Sequence, residues 1–273
     1  SSMEFGQAGT LVNLSYQLTS VSSSDIHCGM GIKIEPISKK SLATAVFEQL
    51  RDKIVHGAME AGETLPSERV LCEHLQVNRG AVREGLKRLE QAGLVSIHQG
   101  GATSVRDFRK TAGLEILGAM VVGPGGIINT DIVRSVIDMR ATLASQVAGR
   151  AAAHCSSEDA ESLFALVAQM KSAQDDILVL QELAMQFWGT VVGASKSLPY
   201  QLAYNSMEAV YSQVQEHLSH VLAEELRALK QYEALAKALQ ANNKTSAQKQ
   251  AAKIVGLGSK ALELVLTDLE KVQ

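Results

Sequence analysis

Cysteines are few in this sequence, and their spacing excludes two kinds of stabilising site. The 273 residues contain three cysteines, Cys28, Cys72 and Cys155, an odd number with wide separations. Disulfide frameworks and structural zinc sites place their cysteines in pairs at short intervals. We therefore expect neither a disulfide framework nor a zinc motif.

Long apolar runs and targeting signals are also missing. No apolar run reaches the roughly 18 to 20 residues that a membrane span requires. No charged, apolar and cleavable signal sequence is recognisable. We therefore expect a cytoplasmic protein without a membrane partner. The chain is long enough for two domains, each with its own core.

Motifs of catalysis are missing as well. The serines at 195, 197 and 206 lack a recognisable nucleophile motif, and the glycine-rich run 123–126 lacks the lysine of a phosphate-binding loop. The adjacent carboxylates Glu224 and Glu225 are interpreted as helix-start or solvated charges. The sequence thus predicts a protein that is not an enzyme.

A short helix followed by a turn is predicted after residue 65. Pro66 and Ser67 suit a helix start, and Leu71 and Leu75 lie one turn apart on a face that we expect to be buried. The break at residues 76–78 ends with Asn78, whose side chain can cap the next helix.

The second helix of this pair is predicted from residue 79 to about 91. Its apolar residues recur at i, i+4 and i+7 and form an inward stripe: Val82, Leu86 and Leu89. The outward face carries Arg79, Arg83 and Lys87. The exposed start is expected to consist of Asn78, Gly80 and Ala81, whose small side chains would let the backbone approach DNA. Arginines in such a helix-turn-helix can bind guanine or phosphate bidentately.

A β-hairpin is predicted after this helix. Gly93 suits the residue just beyond a helix, and residues 94–98 and 102–105 are typical of short strands. Gln99, Gly100 and Gly101 between them form a turn that needs positive φ. The pattern predicts a winged helix; a helical hairpin that packs on protein is the disfavoured alternative.

A third helix completes the predicted head. It starts after Ser38 or Ser41, and its apolar residues are spaced for one face: Leu42, Val46, Leu50 and Ile54. Residues 38–110 contain twelve Lys and Arg against nine Asp and Glu, a net charge of +3, whereas residues 111–273 carry −4. Because +3 is modest for a DNA-binding domain, we expect that two heads are needed and that affinity falls with salt.

Several short runs in this segment match a known pattern: Pro66-Ser67-Glu68-Arg69, Val77-Asn78-Arg79, Val82-Arg83-Glu84, Leu86, Arg88-Leu89, Gly93-Leu94-Val95 and Gly100-Gly101. Together they resemble the DNA-binding domain of GntR-type bacterial transcription regulators. The resemblance implies DNA contacts by Arg69, Arg79 and Arg83, and by the wing residues Gln99, Gly100 and Gly101. Asn78, Gly80 and Ala81 replace the commoner serine or threonine, so relatives do not predict the operator sequence.

The remainder of the chain is almost wholly helical in pattern. Residues 1–37 are predicted to be a disordered tail or a remnant of protein production, 38–108 the winged helix and 109–130 a linker helix and loop. Residues 131–273 are predicted to form an all-α antiparallel bundle for effector binding and dimerisation. Its helices are expected at about 131–154, 157–172, 176–194, 199–226, 229–241 and 245–271. The predicted fold class is therefore mainly α, a three-helix winged head followed by a helical bundle.

The bundle resembles the effector domain of the FadR subfamily, less sharply than the head resembles its family. The similar positions are residues 111–117, Arg140, Phe187-Trp188, 194–195, 199–200, 205–207, Tyr211, Gly256 and Ser259. The resemblance implies a homodimer in which a small ligand inside the bundle alters the spacing of the two heads. Many relatives bind a divalent metal, but this chain has Ala184, Trp188, Tyr232 and Ile254 near the ligand positions, so we expect no metal there. A site built on His217 and His220 is a disfavoured alternative.

A metal-free bundle needs other groups to hold its ligand. Arg140 lies among apolar residues and needs an anionic partner if it is buried. The resemblance adds that the subfamily's metal-free type member binds long-chain acyl-CoA. The candidate effector residues are Arg140, Trp188, Tyr204, Asn205, Tyr211, Gly256 and Ser259. We expect a repressor that binds a double-stranded palindromic operator under the control of an organic acid or acyl-CoA. A bundle that serves only for dimerisation or partner docking is the alternative.

Overall fold

The computed structural model describes residues 41–98, 102–211 and 215–272, with the side chains of 215–217 and 272 left out. Two compact units divide the chain between Ile128 and Asn129. We call the described residues up to Ile128 the head and those from Asn129 the body. The wing tip that the sequence predicted, Gln99 to Gly101, lies outside the described residues.

The head is a three-helix core with a two-stranded sheet. Its elements are α1 (Leu42–Val55), α2 (Glu68–Leu75), α3 (Arg79–Gln91), β1 (Val95–Ile97), β2 (Thr103–Val105), α4 (Phe108–Thr111) and α5 (Leu117–Val121). The strands pair antiparallel, with Val95 opposite Val105 and Ile97 opposite Thr103. The predicted inward stripe of α3 is confirmed, since Val82 and Leu89 are fully buried and Leu86 nearly so.

Side-chain caps set the helix starts of the head. Ser41, Ser67 and Asn78 accept hydrogen bonds from backbone N–H groups three residues on, at 3.2, 3.4 and 2.9 Å. Pro66 precedes the cap of α2 and is not its first helical residue, which corrects the sequence prediction. Gly93 ends α3 at φ +72°, and a Cβ there would lie 2.2 Å from the carbonyl oxygen of Thr111, so only glycine fits.

The segment after the wing packs on the head. The helix predicted between Leu114 and Val121 forms in two pieces, the 3₁₀ turn Leu114–Ile116 and α5. Ile116 is buried in the head core, and Ala119 and Met120 pack against that core.

The body consists of eight helices in the described part of the chain: α6 (Thr130–Ala151), α7 (Ser157–Ser172), α8 (Ile177–Ala194), α9 (Leu198–Tyr211), α10 (Gln215–Val221), α11 (Ala223–Leu226), α12 (Leu229–Gln240) and α13 (Lys244–Val272). The long helix α13 packs along α6 and against α12, and α7 packs against α8 and α12. The single helix predicted over 199–226 is wrong, because the backbone leaves helical geometry at Leu222 before α11. The predicted fold class, mainly α with a winged head and a helical body, is confirmed.

One body helix has the length and mean hydropathy of a membrane span, although polar residues interrupt it. The helix α8 is 18 residues long with a mean hydropathy of 1.3, long and apolar enough to cross a membrane by these criteria alone. In the structure its residues Leu180, Phe187 and Val191 are fully buried in the core of the body. Of the whole helix, 44 % is buried, and Leu178 and Val179 near its start are exposed.

Candidate nucleic-acid interface and ligand site

The start of α3 presents a basic surface. Its arginines Arg79 and Arg83 have side chains that are 76 % and 63 % exposed, and Lys87 one turn further on is exposed as well. Gly80 at the same end is exposed. This face therefore combines three positively charged side chains with solvent-accessible backbone at Gly80, which suits a polyanion such as DNA.

A carboxylate on α2 contacts both arginines. The Nε–H of Arg79 donates to Glu68 Oε2 at 2.9 Å, and Arg83 Nε lies 3.5 Å from Glu68 Oε1. Within the described residues, no other acceptor contacts these two guanidinium groups. Because Glu68 engages only the Nε side, the terminal N–H groups remain for bidentate contact with a base or a phosphate. We call Glu68, Arg79 and Arg83 the arginine clamp.

The remaining predicted DNA-contacting residues have different surroundings. Arg69 is 78 % exposed and pairs with Glu73 at 2.6 Å one turn along α2. Asn78 uses its side-chain oxygen to cap α3, which orients the helix start. Ala81 was expected on the exposed start of α3, but it is only 9 % exposed because it faces the head core. Its methyl group therefore does not reach the surface.

The base of the wing is fixed to α3. The backbone N–H of Ile97 at the end of β1 donates to Glu90 Oε1 at 2.8 Å. The other strand, β2, is hydrogen-bonded to the segment before α2. The N–H of Leu65 donates to the carbonyl oxygen of Thr103, and the N–H of Val105 donates to that of Glu63, both at 2.8 Å. The predicted wing contacts of Gln99, Gly100 and Gly101 lie beyond the described residues.

In the body, the partly buried Arg140 forms an ion pair with a buried carboxylate. Its Nη1–H donates to Glu225 Oε2 at 3.0 Å, and its Nη2–H donates to Glu225 Oε1. Glu225 is 2 % exposed, which corrects its interpretation as a solvated charge. Burial opposes the charged form of Arg140, but the charge and hydrogen bonds of Glu225 outweigh this effect and raise the pKa of the guanidinium. The anionic partner expected for Arg140 is therefore supplied by the chain itself.

A glycine on α13 makes room for this pair. A Cβ at Gly258 would lie 2.0 Å from Glu225 Oε2 and 2.8 Å from Leu222 Cδ2. Any larger residue would displace the carboxylate. By contrast, a Cβ at Gly256 would meet nothing within 4 Å, so the glycine that shapes the site is two residues beyond the predicted one.

Two tyrosines from other helices lie near the ion pair. Gln181 on α8 donates through Nε2 to the hydroxyl of Tyr211 on α9. Burial raises the pKa of Tyr211 although the Gln181 bond and the Arg140 charge oppose it. Tyr204 donates to the carbonyl oxygen of Met185 at 2.9 Å, and burial raises its pKa too. Tyr204 also lines an open groove of about 420 Å³ between α8 and α9.

A third tyrosine, Tyr232 on α12, is fully buried beside Trp188. Burial and the Glu225 charge raise the pKa of Tyr232, whereas Arg140 and the indole N–H of Trp188 lower it by less. The indole nitrogen and the Tyr232 hydroxyl are buried and have no hydrogen-bond partner among the described residues. The indole is thus close enough to affect the hydroxyl without the geometry of a hydrogen bond. We call Arg140, Glu225, Tyr211, Tyr232 and Trp188 the polar cluster.

The polar cluster contains some of the predicted effector residues and not others. Arg140, Trp188 and Tyr211 belong to it. Asn205 is exposed and accepts from Gln201 Nε2 at 2.9 Å, so the structure places it on the surface. Ser259 donates to the Val255 carbonyl oxygen of its own helix at 2.9 Å, so its hydroxyl is already paired. Gly256, as shown above, adjoins open space.

Two members of the cluster, Glu225 and Tyr232, were not among the predicted effector residues. The sequence held a signal for each: Tyr232 lies in the apolar stripe of α12 with Leu235 and Leu239, and Glu225 lies beside Leu222 and Leu226 at positions that face the core. A charged or phenolic residue in an apolar stripe is typically buried with a partner.

The positions compared with metal ligands lie in this core. Ala184, Tyr232 and Ile254 belong to one buried cluster, and Trp188 packs against it. Over the described ranges, no group of three or more His, Cys, Asp or Glu could hold a metal ion. His220 is exposed, and the side chain of His217 is outside the described residues.

Comparisons with known proteins agree with this division into head and body. Residues 42–105 match the family described as "Bacterial regulatory proteins, gntR family", and residues 135–256 match the FCD domain. The HTH-type transcriptional regulator Mce2R of Mycobacterium tuberculosis is 36% identical over 233 residues, which cover 85% of this chain and 96% of that protein. The fatty acid metabolism regulator protein of Klebsiella pneumoniae is 26% identical over 205 residues, 75% of this chain and 84% of that protein.

One solved structure has a similar fold. A structure titled for Lar, which controls the agr system of Listeria monocytogenes, aligns with 83% of this chain and 99% of its own at a TM-score of 0.52 and 17% identity. The resemblance predicted from the sequence is thus confirmed for the head and for the body. The chain belongs to the gntR family of bacterial regulatory proteins, and it is a DNA-binding transcriptional regulator with an FCD domain.

Proposed function

We propose that this regulator is a homodimeric repressor that binds a palindromic operator and releases it when a small metabolite binds in the body. The metabolite is a carboxylate or an acyl-CoA-type molecule. The protein acts in the cytoplasm, where its DNA is. The observation that carries the DNA-binding part is the arginine clamp, two exposed guanidinium groups held side by side at the start of α3.

The DNA contacts of the proposal follow from this surface. Arg79 and Arg83 contact base edges or phosphates, and Arg69 contacts the backbone. Asn78 and Gly80 shape the close approach of the backbone, and the wing residues Gln99, Gly100 and Gly101 contact the adjacent groove.

The polar cluster supports the ligand part of the proposal. A partly buried ion pair and two buried polar atoms without partners among the described residues add little to a purely structural core, whereas ligand sites combine apolar walls with a few polar groups. The names of two relatives support the proposal. One is a fatty acid metabolism regulator protein, and the other, NanR of an Enterobacter, is a transcriptional repressor. The alternative is a body that only dimerises or docks a partner.

The DNA-binding part is tested by selection. The purified full-length protein is used to enrich binding sequences from a random duplex library, and fluorescence anisotropy then compares the enriched duplex with a scrambled one. We expect two-fold related half-sites and at least about 1,000-fold tighter binding to the enriched duplex. Failure to enrich any sequence would contradict the proposal.

The ligand part is tested on the same duplex. Native mass spectrometry of protein purified gently from its host gives the oligomeric state and the mass of any bound molecule. Because linkage is reciprocal, a ligand that releases the operator must bind more weakly when the operator is present, by the same factor. A dimer that binds small molecules with no change in operator affinity would favour the docking alternative.

A further inference from the structure

A carboxylate near the end of α3 binds the first strand of the wing. The N–H of Ile97 donates to Glu90 Oε1 at 2.8 Å. Ile97 is the last residue of β1, and the predicted wing tip begins two residues further along the chain. Glu90 therefore contacts the wing at the point where its first strand ends.

The pairing of the strands explains why this N–H is available to a side chain. The backbone groups of Thr103 and Val105 in β2 bind the segment before α2, so the bonds of β2 to β1 come from the residue between them. Ile97 lies opposite Thr103, and its N–H therefore points away from β2. Without Glu90, this N–H would be an unpaired group on the edge of the sheet.

The position of Glu90 in α3 does not by itself favour a carboxylate. Because α3 ends at Gln91, Glu90 lies in the last turn, where the helix dipole opposes a negative charge. Glu90 is exposed, and among the described residues the Ile97 N–H is the one donor that contacts it. The bond to the wing thus accounts for this carboxylate, whereas an ion pair does not.

The same face of α3 carries the arginine clamp. Glu90 follows Arg83 by seven residues and Arg79 by eleven, and both spacings lie within about 20° of a whole number of helical turns. At 1.5 Å per residue, Glu90 is about 10 Å along the helix axis from Arg83. One helix therefore holds the clamp near its start and the wing near its end.

We propose that Glu90 is a positioning residue for DNA binding, which through Ile97 sets where the wing meets the groove beside each half-site. Glu90 acts through the wing and does not itself contact DNA. The inference rests on the wing contacts of the proposed function and identifies what places them relative to the arginine clamp.

Three variants separate the hydrogen bond from the charge. Glu90→Met keeps an unbranched side chain with a high helix propensity but removes the acceptor oxygens, whereas Glu90→Gln keeps one acceptor without the charge. Glu84→Met is the matched control, because it removes the same charge from the same helix and its partner Arg88 also lies on α3.

The first measurement is hydrogen exchange of the full-length protein, followed by mass spectrometry at the resolution of single amides. The Ile97 amide should exchange about 2- to 13-fold faster in Glu90→Met, the range for one net hydrogen bond, and at an unchanged rate in Glu90→Gln and Glu84→Met. A global loss of stability would speed up the buried amides of α3 as well, so these serve as the internal reference. An unchanged Ile97 rate in Glu90→Met would overturn the inference.

The second measurement is hydroxyl-radical footprinting on the enriched duplex. The wild-type protein should protect the half-sites and the minor groove beside them. Glu90→Met should lose the protection beside the half-sites and keep that within them, whereas Glu90→Gln and Glu84→Met should keep both. Equal weakening of both regions in Glu90→Met would show a role in stability alone and would contradict positioning.

The two measurements distinguish this inference from the proposed function. If Glu90→Met speeds up Ile97 exchange and the wild-type protein protects no groove beside the half-sites, the attachment of the wing holds and its proposed DNA contact is wrong. If the wild-type protein and Glu90→Met protect that groove equally, the proposed function holds and the inference is wrong.

Discussion

Replacing Glu68 by glutamine should weaken the sequence discrimination of the head far more than its stability. Glu68 contacts Arg79 at 2.9 Å and Arg83 at 3.5 Å, and both arginines are mostly exposed. Exposed ion pairs contribute about 0–1 kcal/mol. The free energy of unfolding should therefore fall by less than about 1 kcal/mol in Glu68→Gln.

The effect on DNA binding is expected to be larger and to have two parts. A bidentate arginine contact with a base contributes about 1–3 kcal/mol of discrimination, or about 5- to 150-fold in the dissociation constant. Without the carboxylate, neither guanidinium is held in place, so binding to the selected duplex should weaken. Binding to unrelated DNA should strengthen slightly, because one negative charge beside the phosphates is lost.

The assay is fluorescence anisotropy on the selected and scrambled duplexes at one salt concentration. The ratio of the two dissociation constants should fall at least about fivefold in Glu68→Gln. Glu84→Gln is the matched control: it removes the same charge from the same head, and its partner Arg88 lies outside the arginine clamp. The reasoning is refuted if both variants change the ratio equally, or if Glu68→Gln tightens binding to the selected duplex.

Three further predictions concern the body and are measured by urea unfolding. Gly258→Ala should lower the free energy of unfolding by about 1–3 kcal/mol, because its Cβ would lie 2.0 Å from Glu225. Gly256→Ala is the control and should raise the free energy of unfolding by up to about 1 kcal/mol, because its Cβ meets nothing and alanine favours a helix. Equal effects of the two variants would contradict the packing. Arg140→Met should lower the free energy of unfolding by about 3–5 kcal/mol, nearer the lower value because Arg140 is 30 % exposed. The double variant with Glu225→Leu should recover most of this stability, because no carboxylate is then left buried without its partner. Hydrogen bonds from an arginine and a threonine lower the pKa of Glu270 from 4.5 to about 2. The contribution of Glu270 to the free energy of unfolding is therefore present above pH 4.5 and is lost as the pH falls towards 2. Glu270→Gln should remove this part of the pH dependence of stability.

The head could be predicted closely from the sequence because its signals are local. Asn78 caps the helix that begins at the next residue, and Gly93 has a positive φ just beyond the end of α3. Caps, turns and apolar spacing act over fewer than about ten residues, which a sequence pattern records directly. Ala81 was misplaced because its inward direction depends on how α3 rests on the core.

The polar cluster of the body could be predicted only in part. Arg140 was found because a lone arginine among apolar residues needs a partner, but that partner, Glu225, is 85 residues further along the chain. Such a pairing arises from tertiary packing and leaves no periodic signal. The choice between Gly256 and Gly258 has the same cause, since only the neighbouring helix shows which glycine must lack a Cβ.

The most direct test of the central claim, that the start of α3 reads DNA, is a comparison of Arg79→Ala with Lys87→Ala. Both are measured by anisotropy on every single-base variant of the selected duplex. Arg79→Ala should lose about 1–3 kcal/mol on the selected duplex and should flatten base preference at one position of each half-site, whereas Lys87→Ala should weaken all duplexes alike. A uniform loss in both variants would contradict base reading by Arg79.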